Sequence, residues 1–362
     1  MSSHPIMTSP GLLTVDLDAL GQNFSALQAA VPSDCAAVVK ANAYGLGIKP
    51  VARRLFAEGC KHFFVANLDE GLKLRNILPE GSIYIFEGVS EGQQEVFLAA
   101  NLVPVLNSIE QIKCWSSKAP GAISVVHIDT GMSRLGLSEL EVEEVAEESL
   151  LENLHLEYVI THLACADEPF HSLNSAQVQC FDRLRSKLPD AKTSIGNSAA
   201  ALSNKKYCGD LTRAGIALFG GNPFLERENP GKNVVSLEGI IVQVREITET
   251  VSVGYGASRT IDPPALLATI GVGYADGYPR ALSNKGFAFL GGKKVPVVGR
   301  VSMDLLTLDV TNVPFGNVRP GERVELLGKN VPLDELAYLS GTISYELLTG
   351  LGRRWTRRYI GD

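Results

Sequence analysis

The chain has 362 residues, 45% of them hydrophobic and 20% charged, with a formal net charge of −7 at pH 7. That length suits two domains with a sizeable core. The negative balance argues against a nucleic-acid or anionic-membrane partner, while local arginines can still focus a small anion.

Six cysteines (35, 60, 114, 165, 180 and 208) form no CxxC pair. This argues against a zinc knot or a disulfide framework and for small buried hydrophobes in a reducing compartment. No apolar stretch reaches about 18 residues, so no membrane span is expected. The start MSSHPIMTSPG lacks a basic region followed by an apolar one, and a cytoplasmic location is expected.

In chain order, residues 12–17 read as a strand, and Leu20, Phe24, Leu27 and Val31 mark one helix face. Strands are then expected near 36–40, 62–66, 82–86, 102–106, 123–128, 156–162, 193–196 and 209–213. Helix-period segments separate them at 49–59, 68–77, 91–100, 108–117, 138–150 and 174–188. Alternating strand and helix implies parallel strands covered by helices. Eight units predict a closed (β/α)8, TIM-like barrel. An open doubly wound sheet is the competing arrangement, but no GxGxxG follows the first strand. The acidic run 139–152 reads as a solvated helix face.

After about residue 232 the texture changes. Residues 236–247, 266–272, 286–290 and 294–298 are strand-like, Gly291-Gly292 reads as a hairpin turn, and a last helical stretch near 333–349 carries Tyr345. The expected fold is therefore α/β. It has a barrel over 17–232 and a mainly antiparallel β domain over 233–362, which the strand within 1–16 joins.

The residues with chemistry collect where barrel strands end. Lys40 closes the first barrel strand in AAVVKANAYGLG, and a lysine there is costly to desolvate unless neutral, paired or consumed covalently. A Schiff base with an aldehyde cofactor consumes it. Arg134 follows the fifth strand, His162 closes the sixth, Asn197-Ser198 opens a helix after the seventh, and Arg213 closes the eighth before Gly215-Ile216. Loops after the last two strands of such a barrel often hold phosphate at a helix N-terminus. Ser198 adds a hydroxyl there, and Gly215 allows close backbone approach. An aldehyde with a phosphate handle beside a strand-end lysine points to pyridoxal 5'-phosphate (PLP).

These residues resemble the alanine racemase family over essentially the whole chain. The resemblance is carried by the Lys40 run, DTGMSRLG ending at Gly136, NSAA at 197–200, Arg213 with GIALFG, GYADGYPR at 273–280, GRVSMD at 299–304 and SYE at 344–346. It implies a PLP enzyme interconverting L- and D-alanine, working as a homodimer with shared active sites. By the same resemblance, Lys40 holds the cofactor and acts as a base on one face of the substrate Cα. Tyr274 of the partner subunit acts on the opposite face. Stereoinversion needs two such bases.

Arg213 matches the arginine at the pyridine nitrogen, where a permanently protonated guanidinium weakens the ring as an electron sink. His162 matches a histidine near that arginine and the tyrosine. Arg134 matches the arginine at the cofactor phenolate and substrate carboxylate. Tyr44, Ser198, Gly215, Ile216 and Tyr345 match phosphate-binding positions, with Asn197 beside them. The Met303 backbone matches a carboxylate contact from the partner chain, and Tyr255 and Tyr278 are expected near the mouth of the site.

Two positions depart from the pattern. His127 stands where some members carry a lysine modified to a carbamate that orients the arginine. It reads equally as an inward barrel residue and as an orienter of Arg134. Ser302 stands where several members have cysteine. A broader racemase for serine, lysine or arginine is the nearest alternative. A non-catalytic PLP carrier would need neither a β domain nor Tyr274. A two-domain decarboxylase would favour an acid where Arg213 stands.

Overall fold

A computed structural model describes residues 11–224 and 227–361. The first ten positions, including His4 and the start of the region 1–16, lie outside the described residues. The chain divides into two compact units. One joins the residues up to Ala19 to those from Asn233 onward, and the other is Leu20–Lys232.

In the Leu20–Lys232 unit, eight parallel strands follow one another: β2 (Asp34–Val38), β3 (His62–Val65), β4 (Ser82–Ile85), β5 (Leu102–Leu106), β6 (Ile123–His127), β7 (His155–Ile160), β8 (Lys192–Ser194) and β9 (Leu211–Ala214). Each pairs with the next from β2 to β8, and β9 returns to pair with β2. The seam between β8 and β9 is held by single hydrogen bonds rather than a regular ladder. Asp210 donates to the Thr193 carbonyl at 2.7 Å and Arg213 to the Gly196 carbonyl at 2.8 Å. Near-continuous apolar runs such as Phe63-Phe64-Val65 and Ile83-Tyr84-Ile85 are fully buried, as parallel strands covered on both faces require.

The helices between strands start where the sequence supplies caps. Asn67, Ser108 and Ser138 each accept the backbone N–H three residues on. The acidic helix Glu139–Glu147 keeps its acidic side chains at the surface, where several form ion pairs. Glu139 pairs with Arg183, Glu143 with Lys187, and Glu144 and Glu148 with Lys113. The cysteines divide evenly: Cys35, Cys60 and Cys208 are buried, Cys114, Cys165 and Cys180 partly exposed, and all six are free thiols.

In the other unit, β1 (Gly11–Asp16) lies between β10 (Val235–Ile247), to which it is antiparallel, and β18 (Thr356–Ile360), to which it is parallel. The 13-residue β10 also pairs with β13 (Ala265–Ile270) and β17 (Arg323–Leu327), β11 (Val251–Val253) pairs with β12 (Arg259–Ile261), and β16 (Leu306–Asp309) pairs with β13. A register shift between Ile241 and Gln243 bends β10. Gly291 and Gly292, with φ of 55° and 80°, turn β14 (Phe287–Leu290) into β15 (Lys293–Pro296), the two positive φ values a primed hairpin turn needs. The terminal helical stretch is two helices, Leu333–Ser340 and Ser344–Thr349, because Gly341 ends the first in a left-handed cap.

Candidate active site

Strand β2 ends at Val38, so Lys40 does not close the strand as expected but stands two residues beyond it and opens a tight turn. Ala41, Asn42, Ala43 and Tyr44 all have φ between 53° and 56°. This is a left-handed helical turn built from L-residues. Such a turn costs roughly 1–2 kcal/mol per residue and is kept where the surroundings over-determine it. Ala43 donates to the Val39 carbonyl at 2.9 Å, Gly45 to Ala41 at 2.8 Å and Gly47 to Asn42 at 2.9 Å. The Asn42 carboxamide oxygen accepts from Ile48 at 2.9 Å. The Tyr44 ring is buried and stacked on Phe219 with centroids 4.6 Å apart.

Lys40 is exposed at the surface, and its ammonium lies 5.7 Å from the centre of the Phe86 ring. Crowding by protein atoms, then the charge of Arg134, lowers its pKa, against an opposing pull from Glu70. A lowered amine pKa enlarges the neutral, nucleophilic fraction near neutral pH.

Arg213 is 3% exposed on β9. Its Nη1 donates to the Ser194 carbonyl and hydroxyl at 2.8 and 2.7 Å. Its Nη2 reaches the Thr161 carbonyl at 2.7 Å, the Ile195 carbonyl at 3.3 Å and His162 Nδ1 at 3.2 Å. A guanidinium has no lone pair, so His162 Nδ1 must accept and its proton sits on Nε2. Burial, then Arg213, drives the His162 pKa well below the usual 6.5. Burial alone lowers Arg213 to about 10, which still leaves it a cation at neutral pH. Its Nε–H is the one donor without a partner among the described residues, and it is not enclosed.

A second polar cradle lies after β8 and β9. Ser198, 2% exposed, opens the helix Ser198–Ser203, and its hydroxyl accepts from Gly215 at 2.8 Å and Ala217 at 3.4 Å. Asn197 commits its carboxamide oxygen to Ala200 as the N-cap. Ile216 opens the 3-10 turn Ile216–Phe219, so two sets of first-turn N–H groups without intrahelical partners meet here. A Cβ on Gly215 would lie 2.5 Å from the Tyr44 hydroxyl, so any larger residue has to displace that buried ring. An open N–H on an arginine that stays protonated at neutral pH, a lysine of lowered pKa and a cradle of backbone donors suit a phosphorylated pyridine aldehyde. On these observations the residues fit PLP.

Arg134 is exposed and has no partner among the described residues. Its loop is nonetheless held. One Asp129 oxygen accepts from Gly131 and Met132 at 2.9 Å and Ser133 at 3.1 Å. Burial opposes ionisation of Asp129, but these three donors outweigh it and hold its pKa down. Beside this loop, His127 Nδ1 is 2.9 Å from the Asn107 carboxamide oxygen. The Asn107 amide nitrogen already donates to the Phe86 and Val105 carbonyls. The imidazole proton therefore sits on Nδ1 and leaves Nε2 an open lone pair. Burial, then Arg213, pushes His127 down to about 4. Gln177, fully buried, fixes the His162 backbone by donating to its carbonyl at 3.0 Å. Asp129, Asn107, Gln177 and Glu70 were not singled out from sequence. The spacing Asn67-x-x-Glu70, that of a helix cap, is the one sequence signal that could have drawn attention to Glu70.

In the other unit, Tyr274 is 42% exposed on a 3-10 turn, Tyr274–Asp276. The turn is docked on backbone: Tyr274 donates to Ser302 and Ala275 to Met303, both at 3.0 Å. A Cβ on Gly273 would lie 2.3 Å from both of those carbonyls. Asp276, fully buried, accepts from the Gly273 N–H at 2.9 Å and pairs with Arg354 at 2.7 Å, which also binds Asp304 at 2.7 Å. Met303 is 53% exposed and Tyr345 37%. Tyr255 is also exposed, but Tyr278 is not at a mouth. It is 1% exposed with an unpartnered hydroxyl, because the ring fills the core of the β unit.

Comparison with known proteins matches residues 15–223 to the alanine racemase N-terminal domain and 234–359 to the alanine racemase C-terminal domain. The chain belongs to the alanine racemase family. It is 46% identical over 361 residues to the alanine racemase of Rhodospirillum rubrum, covering 97% of this chain and 96% of that one. It is 44% identical to a catabolic alanine racemase of Agrobacterium fabrum, covering 97% and 92%. The structure superimposes on the Bartonella henselae alanine racemase with covalently bound pyridoxal phosphate, at TM-score 0.93 and 37% identity, over 97% of this chain and 100% of that one. Biosynthetic alanine racemase from Pseudomonas aeruginosa gives 0.91 at 32% identity, over 97% and 99%. These relatives share the barrel with its antiparallel partner domain, as the sequence pattern leads one to expect.

Proposed function

We propose that this chain interconverts L- and D-alanine with PLP at the carboxyl end of the barrel. The observation that carries the reading is Arg213, a buried cation locked by carbonyls and a neutral histidine, with a single N–H left to offer. When bound, PLP supplies an electron-withdrawing ring that acidifies the substrate Cα–H. The protein has to anchor the phosphate, orient the carboxylate and move a proton from one face of Cα to the other.

Lys40 has the lowered pKa that a base and covalent anchor needs. The Ser198 hydroxyl, the Gly215–Ile216 backbone, Tyr44 and Tyr345 are assigned to the phosphate, next to the Asn197 cap. The Arg134 guanidinium, free on a braced loop, is assigned to the carboxylate. Arg213 offers only a hydrogen bond to a ring nitrogen and never a proton, since its pKa stays far above neutrality. That moderates charge build-up on the ring and limits side reactions. His162, neutral and bearing its proton on Nε2, keeps Arg213 in place.

Tyr274 of a second copy is assigned as the base on the opposite face, with the Met303 backbone of that copy at the carboxylate. The exposure of Tyr274 on its turn, and of Met303 on the segment that braces that turn, supports this. The reading therefore includes a homodimer with shared sites. No helix is long and apolar enough to cross a membrane among the described residues, which fits the proposed cytoplasmic location.

The test is incubation of PLP-loaded protein with L-alanine in deuterated water. D-Alanine carrying deuterium at Cα is expected. Release of carbon dioxide, or no turnover by fully loaded protein, would overturn the proposal.

A further inference from the structure

The lysine turn poses a mechanical question: what sets the direction of Lys40 when four consecutive L-residues after it are left-handed? Hydrogen-bond donors within and just after the turn include Ala43, Gly45 and Gly47. The Ala41 N–H precedes them, in the peptide plane between Lys40 and Ala41. The Ala41 N–H in that plane donates to one oxygen of Glu70 at 2.7 Å. The other oxygen of the same carboxylate accepts from Ala66 at 2.9 Å. Ala66 follows the last residue of β3, the strand beside β2. One carboxylate thus ties the lysine turn to the end of the neighbouring strand.

Glu70 is also the third residue of the helix Leu68–Ile77, whose N-cap Asn67 accepts from the Glu70 N–H. In an ordinary capping box a glutamate at this position turns back to the cap residue's own N–H. Here it is diverted one residue further back and across to Ala41. The diversion serves the lysine turn, since Asn67 already starts the helix.

We propose that Glu70 is a positioning residue for Lys40, its shared carboxylate holding the Lys40–Ala41 peptide plane that aims the lysine. This rests on the reading of Lys40 as the cofactor lysine. A carboxylate suits the place because both groups facing it are donors. Glutamine would set its own N–H₂ against one of them.

The test mixes full-length, cofactor-stripped chain with PLP, quenches with borohydride at timed intervals and maps the labelled peptide. Wild type is expected to label at Lys40. Glu70→Gln is expected to label the same residue about tenfold to hundredfold more slowly, the loss of one charge-assisted hydrogen bond. The pH profile of its labelling should shift to lower pH, because the carboxylate that raises the Lys40 pKa is gone. Asn67→Ala, which weakens the same helix start without touching Ala41, is expected to label within about twofold of wild type.

Wild-type labelling kinetics in Glu70→Gln, or equal slowing in Asn67→Ala, overturns the positioning role. Labelling of a different lysine in wild type overturns the Lys40 reading, and the proposal with it. Should Glu70→Gln fail to fold, amide exchange in the wild type decides. Slow exchange at the surface-exposed Ala41 N–H is expected, and unprotected exchange refutes the clamp.

Discussion

Replacing Arg213 with methionine removes the charge and keeps most of the volume. Three acceptors then lose the one partner they have among the described residues, namely the Thr161 and Ile195 carbonyls and His162 Nδ1. The Ser194 carbonyl keeps the Thr161 N–H at 3.1 Å. An unsatisfied buried acceptor costs about 1–3 kcal/mol. Water entering from the open side offsets part of this, so a net loss of about 3–5 kcal/mol at pH near 7.5 is expected.

The penalty also has a pH signature. Arg213 follows burial as a cause of the low pKa of both His162 and His127. Both imidazoles are neutral in the folded chain, whereas the unfolded chain binds protons below about pH 6.5. Wild-type stability is therefore full above that value and falls as the pH drops through it. Without Arg213 the folded pKa values rise toward 6.5, so the acid loss shrinks and the penalty is smaller near pH 5.5 than near 7.5. Hydrogen exchange of the β6–β9 amides in both proteins at both pH values measures it. An equal penalty at the two pH values, or one below about 1 kcal/mol, would refute this account of the site.

Three further outcomes are expected. Gly215→Ala drives a methyl group into the Tyr44 hydroxyl, and PLP affinity, read by titration of cofactor absorbance, should fall about tenfold or more, the equivalent of about 1–3 kcal/mol of overpacking. Asp276→Asn leaves Arg354 with Asp304 alone. It should cut kcat about tenfold through a loosened Tyr274 turn while cofactor absorbance stays unchanged, and a matching loss of cofactor would argue against a role confined to Tyr274. Asn107→Asp sets a carboxylate against His127 Nδ1 and should raise its pKa from about 4, visible by NMR titration of the imidazole. A pKa that stays put would mean that the contact at 2.9 Å does not govern the ring.

Much of this was legible in the amino-acid sequence. Each barrel strand begins or ends within about two residues of its apolar run, because parallel strands covered on both faces must be apolar throughout. Lys40, Arg134, His162, Ser198 and Arg213 could be picked out because polar residues at such strand ends are unusual. The later strands of the β unit, β16 (Leu306–Asp309), β17 and β18, were not legible. They are short, half polar and specified by partners far along the chain. Tyr278 misled because local sequence does not show which side of a turn faces the core.

The inventory is written locally: eight strand–helix units, a β-rich remainder, and one lysine, two arginines and a histidine at or just after strand ends. The state of those groups is set by folding. The Lys40 turn is held left-handed by Glu70 and the Phe219 ring, which meet it from elsewhere in the chain. The proton of His162 is on Nε2 because a guanidinium 51 residues away can only donate. Hydrogen-bond direction and burial belong to pairs of residues brought together by folding, so no local stretch of sequence carries them.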